Sequence, residues 1–180
     1  MVTENVGTAL MEKKPAEVNL PVLVKGDGTV LMQSKRLALS KTQEAERRLK
    51  EAQLVNSATY AELEYVYNES YRELKANLAV LGYDIAIANK IIDQAKAEAL
   101  FDRYPVFLEG RPKSFDNAEV RKSFVHQDPE YIKALDHLNT LKMLEALFDG
   151  KIKTMERVTA YMKKQVDILI KTGQMPNYVK

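Results

Sequence analysis

Residues 128–173, DPEYIKALDHLNTLKMLEALFDGKIKTMERVTAYMKKQVDILIKTG, decide the fold. Asp128-Pro129-Glu130 reads as a helix start. Asp128 offers an acceptor at the N-cap, Pro129 takes the first helical position, and Glu130 puts an acid in the first turn. Behind it Tyr131, Leu135, Leu138, Leu141, Leu144, Phe148, Ile152, Met155, Val158, Met162, Val166 and Leu169 form one apolar seam. Their mean spacing is about 3.5 residues, the coiled-coil period. Gly173 is placed to end the helix after Thr172. Gly150 falls inside it, where glycine costs up to about 1 kcal/mol relative to alanine, and it invites a bend or a close crossing with another helix.

Upstream, a second seam begins after Ser34. Positions 45, 49, 52, 56, 60, 63, 67, 70, 74, 78 and 81 carry Ala, Leu, Ala, Asn, Tyr, Leu, Tyr, Ser, Leu, Leu and Leu. Steps of three and four predict one long amphipathic helix, with Asn56 and Ser70 as polar, register-setting members. Gly82 is its expected stop, and Asp84 the expected cap of a second helix through about Arg103. Tyr104-Pro105 should end that helix, because the residue before proline avoids the α region. A loop over Leu108–Asp116 and a short helix over about Asn117–His126 complete the middle of the chain.

The N-terminal part differs. Residues 1 to 18 are polar and aperiodic, and are expected to be loose. In VNLPVLVKGDGTVLM, Val22–Val24 and Thr29–Met32 flank Gly26-Asp27-Gly28, a hairpin signal in which both Asp27 and Gly28 take positive φ. The Asp-Gly pair lacks the further oxygen ligands of a calcium loop. One hairpin is marginal alone, so it must pack on the helices or pair with another chain. The fold class is therefore all-α: long amphipathic or coiled-coil helices with a small N-terminal β-hairpin, in a helical oligomer. Its divisions are a flexible N-terminus plus hairpin over 1–33; a long helix, second helix and loop over 34–116; and a short basic helix with a long oligomerisation helix over 117–180. Leu144, Phe148, Ile152, Met155, Val158 and Met162 are the expected oligomerisation positions.

Composition removes several chemistries. There are no cysteines in the 180 residues, so disulfides, thiolate metal sites and cysteine nucleophiles are excluded. No secretory signal is expected at the N-terminus, and no apolar run reaches the roughly 18 residues of a membrane span. A reducing cytoplasm is the expected compartment. No glycine-rich phosphate loop occurs. His126 and His137 lie near Asp128 and Asp136, but their spacing fits no i, i+4 ligand pair. No catalytic residue, metal or cofactor is assigned, and an enzyme is not expected.

Net charge is only +2, so attraction to a polyanion must be local. Residues 35–50 hold six basic residues against two acids, and 51–102 hold nine acids against four basic residues. In the last helix, 128–149 has five acids and two lysines, while 151–180 has seven basic residues and two acids. That gradient suits the helix dipole, and equally suits antiparallel contact with a similar helix. Between them, Arg103, Arg111, Lys113, Arg121 and Lys122 are interleaved with Tyr104, Phe107, Phe115 and Phe124. Cations that neutralise phosphates beside flat rings suit single-stranded nucleic acid; in a monomer the same rings could be the core of an ordinary loop.

The stretch AEVRKSFVHQDPEYIKALDHLNTLKMLEALFDGKIKTMERVTAYMKK resembles the T4-type phage recombination mediators, the UvsY family. The similar features are the short basic segment Glu119-Val120-Arg121-Lys122, the acid-opened start at Asp128, and the long Leu/Met/Phe-seamed helix with its basic end. Upstream, LFDRYPVFLEGR is similar to that family's basic helix end running into an aromatic-glycine loop, with Arg103 the clearest match. The hairpin and long first helix go beyond the short T4-type form. The resemblance implies a non-enzymatic oligomer that binds single-stranded DNA, helps load a RecA-like recombinase and displaces single-strand-binding protein, its C-terminal helix assembling a ring. The other readings are a coiled-coil adaptor or inhibitor that binds other proteins, and, further off, a membrane-surface helix over 151–171.

Overall fold

The computed structural model describes residues 16–51 and 57–173. Four short strands come first: β1 (Glu17–Leu20), β2 (Leu23–Val24), β3 (Val30–Met32) and β4 (Lys35–Ala38). β1 pairs antiparallel with β4, and β2 with β3. The expected hairpin is thus the inner half of a longer one that reaches Ala38. In its turn Gly28 N–H donates to the Lys25 carbonyl at 3.0 Å and Lys25 N–H to the Thr29 carbonyl at 2.8 Å. Only Gly28 has positive φ, +89°. Asp27 keeps a negative φ and instead accepts the Thr29 N–H at 2.9 Å, the three-residue loop with a glycine bulge rather than the two-residue one.

The helices are α1 (Ser40–Glu51), α2 (Ser57–Glu98), a π-turn (Ala99–Arg103), α3 (Tyr104–Leu108), a 3-10 turn (Lys113–Phe115), α4 (Ala118–Gln127) and α5 (Pro129–Lys171). The single helix expected from Ser34 is therefore two. α1 lies antiparallel to the first half of α2, with Arg48 on Glu62 at 2.6 Å and Ser70 Oγ donating to Thr42 Oγ1 at 3.2 Å. Seam members Ala52 and Asn56 lie outside the described residues; Ser70 is buried, and Thr42 satisfies it. Glu73 of α2 caps α1 from the side, accepting the N–H groups of Lys41 and Thr42 at 3.1 and 2.8 Å.

Gly82 does not stop α2, and Asp84 caps nothing. The helix runs through both because Leu74, Leu81, Ala88 and Ile92 are all buried on one face. Burying one such large side chain contributes roughly 1.5–3 kcal/mol, more than the glycine costs. At the other expected break, the Tyr104 N–H reaches back to the Ala99 carbonyl. This π-type bond resets the register, so Pro105 falls in the first turn of α3, where it has no donor to lose.

α5 begins and ends where the sequence indicates. Asp128 Oδ1 accepts the N–H groups of Glu130 and Tyr131, each at 3.1 Å, and Gly173 takes φ +69°. It lies antiparallel to α2, and the two seams cover each other. This corrects the expectation that the last seam needs a second chain for shelter. Phe148, Ile152, Met155 and Met162 are buried within one chain, with Leu144 and Val158 half-buried beside them. The hairpin is held the same way: Leu20, Leu23, Met32 and Leu37 enter the same core. Lys25 pairs with Glu98 at 2.8 Å, and Gly26 N–H donates to Glu130 Oε1 at 2.9 Å. No described helix is long and apolar enough to cross a membrane.

Candidate nucleic-acid interface

The corner between α2 and α5 carries the five expected cations, and the structure treats them unequally. Tyr104 is buried, with its ring 5.9 Å from Phe107 and 5.3 Å from Phe124. Phe107 in turn lies 4.9 Å from Phe124 and 6.0 Å from Phe115. The four rings thus form a small aromatic core that folds α3, the loop and α4 onto one another. Their faces are spent largely on each other.

Two of the cations are tied to carboxylates. Arg103 Nε donates to Asp128 Oδ2 at 2.6 Å, and its NH1 lies 3.9 Å from Glu98. Asp128 is buried, so one carboxylate both caps α5 and anchors the end of the π-turn. Arg121 grips Asp116 with two bonds, Nε to Oδ1 at 2.7 Å and NH2 to Oδ2 at 2.8 Å. Tyr104 Oη donates to the same Asp116 Oδ1 at 3.0 Å. The Arg121 guanidinium holds the Asp116 carboxyl below the ordinary aspartate value, and Asp116 raises Arg121 in return. Burial first, then the bond to Asp116, pushes the Tyr104 phenol up. Arg103 and Arg121 are therefore fasteners of the corner, with their charge compensated.

Arg111, Lys113 and Lys122 are exposed and carry no ion pair among the described residues. Arg111 is pre-positioned: its guanidinium carbon stands 3.7 Å above the Phe107 ring centre and 4.7 Å from that of Phe115. A guanidinium held against a ring keeps its full charge and its N–H donors for a phosphate. The ring left open is one that the spacing of the sequence does not single out. Phe101, in the π-turn, is 78% exposed. Carried on from α2 at constant pitch, it falls opposite the buried line of Leu81, Ala88, Ile92 and Ala99, an outward position just ahead of the interleaved stretch that begins at Arg103.

The histidines do not converge. His126 is exposed and lies 5.6 Å, ring to ring, from Tyr131. His137 is buried in α5 with its Nε2 unpartnered, and burial lowers its pKa against a smaller opposing pull from Asp84. No group of three or more metal-ligating side chains occurs among the described residues. No protein-family model, curated protein or solved structure matches the chain.

Proposed function

We propose that this chain is a non-enzymatic recombination mediator that binds single-stranded DNA at the α2–α5 corner. In this reading it helps load a RecA-like recombinase while single-strand-binding protein is displaced. The observation that carries it is the set of exposed cations without an ion pair among the described residues, Arg111 on the ring cluster with Lys113 and Lys122 on the adjoining segments, together with Phe101 exposed in the π-turn that leads into them. Phosphates meet the cations and unstacked bases meet the flat groups, without reading of base identity. The resemblance of residues 100–111 and 118–164 to the UvsY family supports the recombination context. Arg103 and Arg121 contribute by holding the corner in shape rather than by meeting the strand.

The second reading is a protein-binding adaptor or inhibitor, favoured by the internal pairing that removes two of the five cations from the surface. One titration separates the two. Binding of a labelled 20-nucleotide single strand is followed by anisotropy across a salt series. Joint Arg111→Ala, Lys113→Ala and Lys122→Ala substitution should flatten the salt dependence by about two, at roughly 0.7 for each phosphate no longer neutralised. No binding by the parent chain in low salt overturns the mediator reading.

A further inference from the structure

With its seam turned inward on α2, α5 presents an outer face that no described residue covers. Ile132, Gly150 and Ile168 lie on it, each eighteen residues from the next, which at about 3.6 residues per turn is five whole turns. They stand on one straight line along the helix. Met143 and Tyr161, 65% and 62% exposed, depart from that line by about 20° to the same side. Every exposed large apolar side chain of α5, Leu147 included, falls within about 60° of it. The inner seam already supplies the buried face of this helix, so the outer stripe has no role within the chain.

Gly150 stands at the midpoint of Pro129–Lys171. Nothing lies within 4 Å of a Cβ built there, and it has no positive φ to require glycine. Its cost in a helix interior is unexplained by its own chain. A glycine does allow another backbone to approach closely. Charge gives the partner. Residues 129–149 carry four acids and two lysines, and 151–171 carry six basic residues and two acids. Reversing the helix about Gly150 lays each half on its opposite. It sets Ile132 against Ile168, brings Asp136 level with Lys164, and brings Met143 level with the alkyl stem of Arg157. Asp136, Arg157 and Lys164 are exposed and make no ion pair among the described residues.

We infer that the outer face of α5 is a self-association surface on which a second copy of this chain packs antiparallel, with a two-fold axis at Gly150. A groove of about 460 Å³ between α1 and α5, lined by Leu49, Leu147, Gly150 and Thr154, continues the contact to one side. The interface is isologous, each copy offering the same patch. It is a different surface from the inward seam and does not depend on DNA binding.

The absence of cysteine makes the geometry readable by cross-linking of the full chain. Two helices packed at about 8–10 Å bring facing Cα atoms within disulfide reach. Gly150→Cys should link to its own copy under mild oxidation, and an Ile132→Cys chain should link to an Ile168→Cys chain. Ile132→Cys alone should stay unlinked, because its two copies lie about 54 Å apart. The parent should sediment at twice the chain mass, and joint Met143→Glu and Tyr161→Glu substitution should halve that mass with helicity unchanged. A monomeric parent at tens of micromolar overturns the inference and leaves the stripe to another protein. Efficient linking of Ile132→Cys to itself overturns it in favour of parallel packing.

Discussion

The carboxylate of Asp84, buried in the middle of α2, takes the ammonium of Lys35 on β4 at 2.5 Å. This bond ties the β-hairpin to the long helix pair across 49 positions of sequence. Lys35→Met leaves a buried carboxylate without its cation, and the cost should be about 3 kcal/mol in denaturant unfolding. Replacing both partners, Lys35→Met with Asp84→Leu, should recover most of it. A single variant as stable as the parent means that water, not Lys35, satisfies Asp84.

The inward seam gives a second expectation. Ile152 is 2% exposed, so Ile152→Asp buries a charge and should unfold the chain outright rather than merely divide an assembly. Phe148→Ala should cost about 3–5 kcal/mol. Circular dichroism at room temperature decides: retained helicity in Ile152→Asp means that α2 does not cover α5 in solution.

His137 sets an acid-side limit. Its folded pKa lies below the ordinary value of about 6.5 because burial disfavours the charged ring. In the unfolded chain the ring takes its proton first. Stability should therefore be full above about pH 6.5 and fall as pH drops from there towards the folded pKa. His137→Phe removes that loss and also removes an unpartnered buried nitrogen, worth about 1 kcal/mol in its own right. Unfolding curves at pH 8 and pH 5 should differ less for the variant; equal acid sensitivity assigns the effect to other groups.

Phe101 separates binding from folding. Its ring is open to solvent, so Phe101→Ala should leave the thermal midpoint within a degree or two. It should weaken single-strand affinity by about 1–3 kcal/mol, the range for one stacked base. Unchanged affinity removes Phe101 from the surface that meets the strand.

Both ends of α5 were legible because their signals are local: a cap, a proline and a terminal glycine within a few residues of the events they control. The seams were legible as periodicities. What they faced was not, since a stripe written for a helix of the same chain is identical to one written for a second chain. Asp84 has the local context of a cap, and its actual partner, Lys35, is remote in sequence. The continuation through Gly82 likewise depended on burial that only the fold creates. At the corner the sequence supplies five cations without their allotment. Nothing in the spacing of Asp116 and Arg121, or of Arg103 and Asp128, says which charges are cancelled.

Tyr104, Phe107, Phe115 and Phe124 gather around themselves, and neither Tyr104, Phe107 nor Phe115 belongs to the continuous core under α2 and α5. Residues 101–123 thereby form a small head with its own glue, joined to a stiff shaft through Ala99, Phe124 and Val125 and by the Arg103–Asp128 clasp. Such a head can loosen in one piece while the shaft stays closed, giving a pliable grip on a rigid handle.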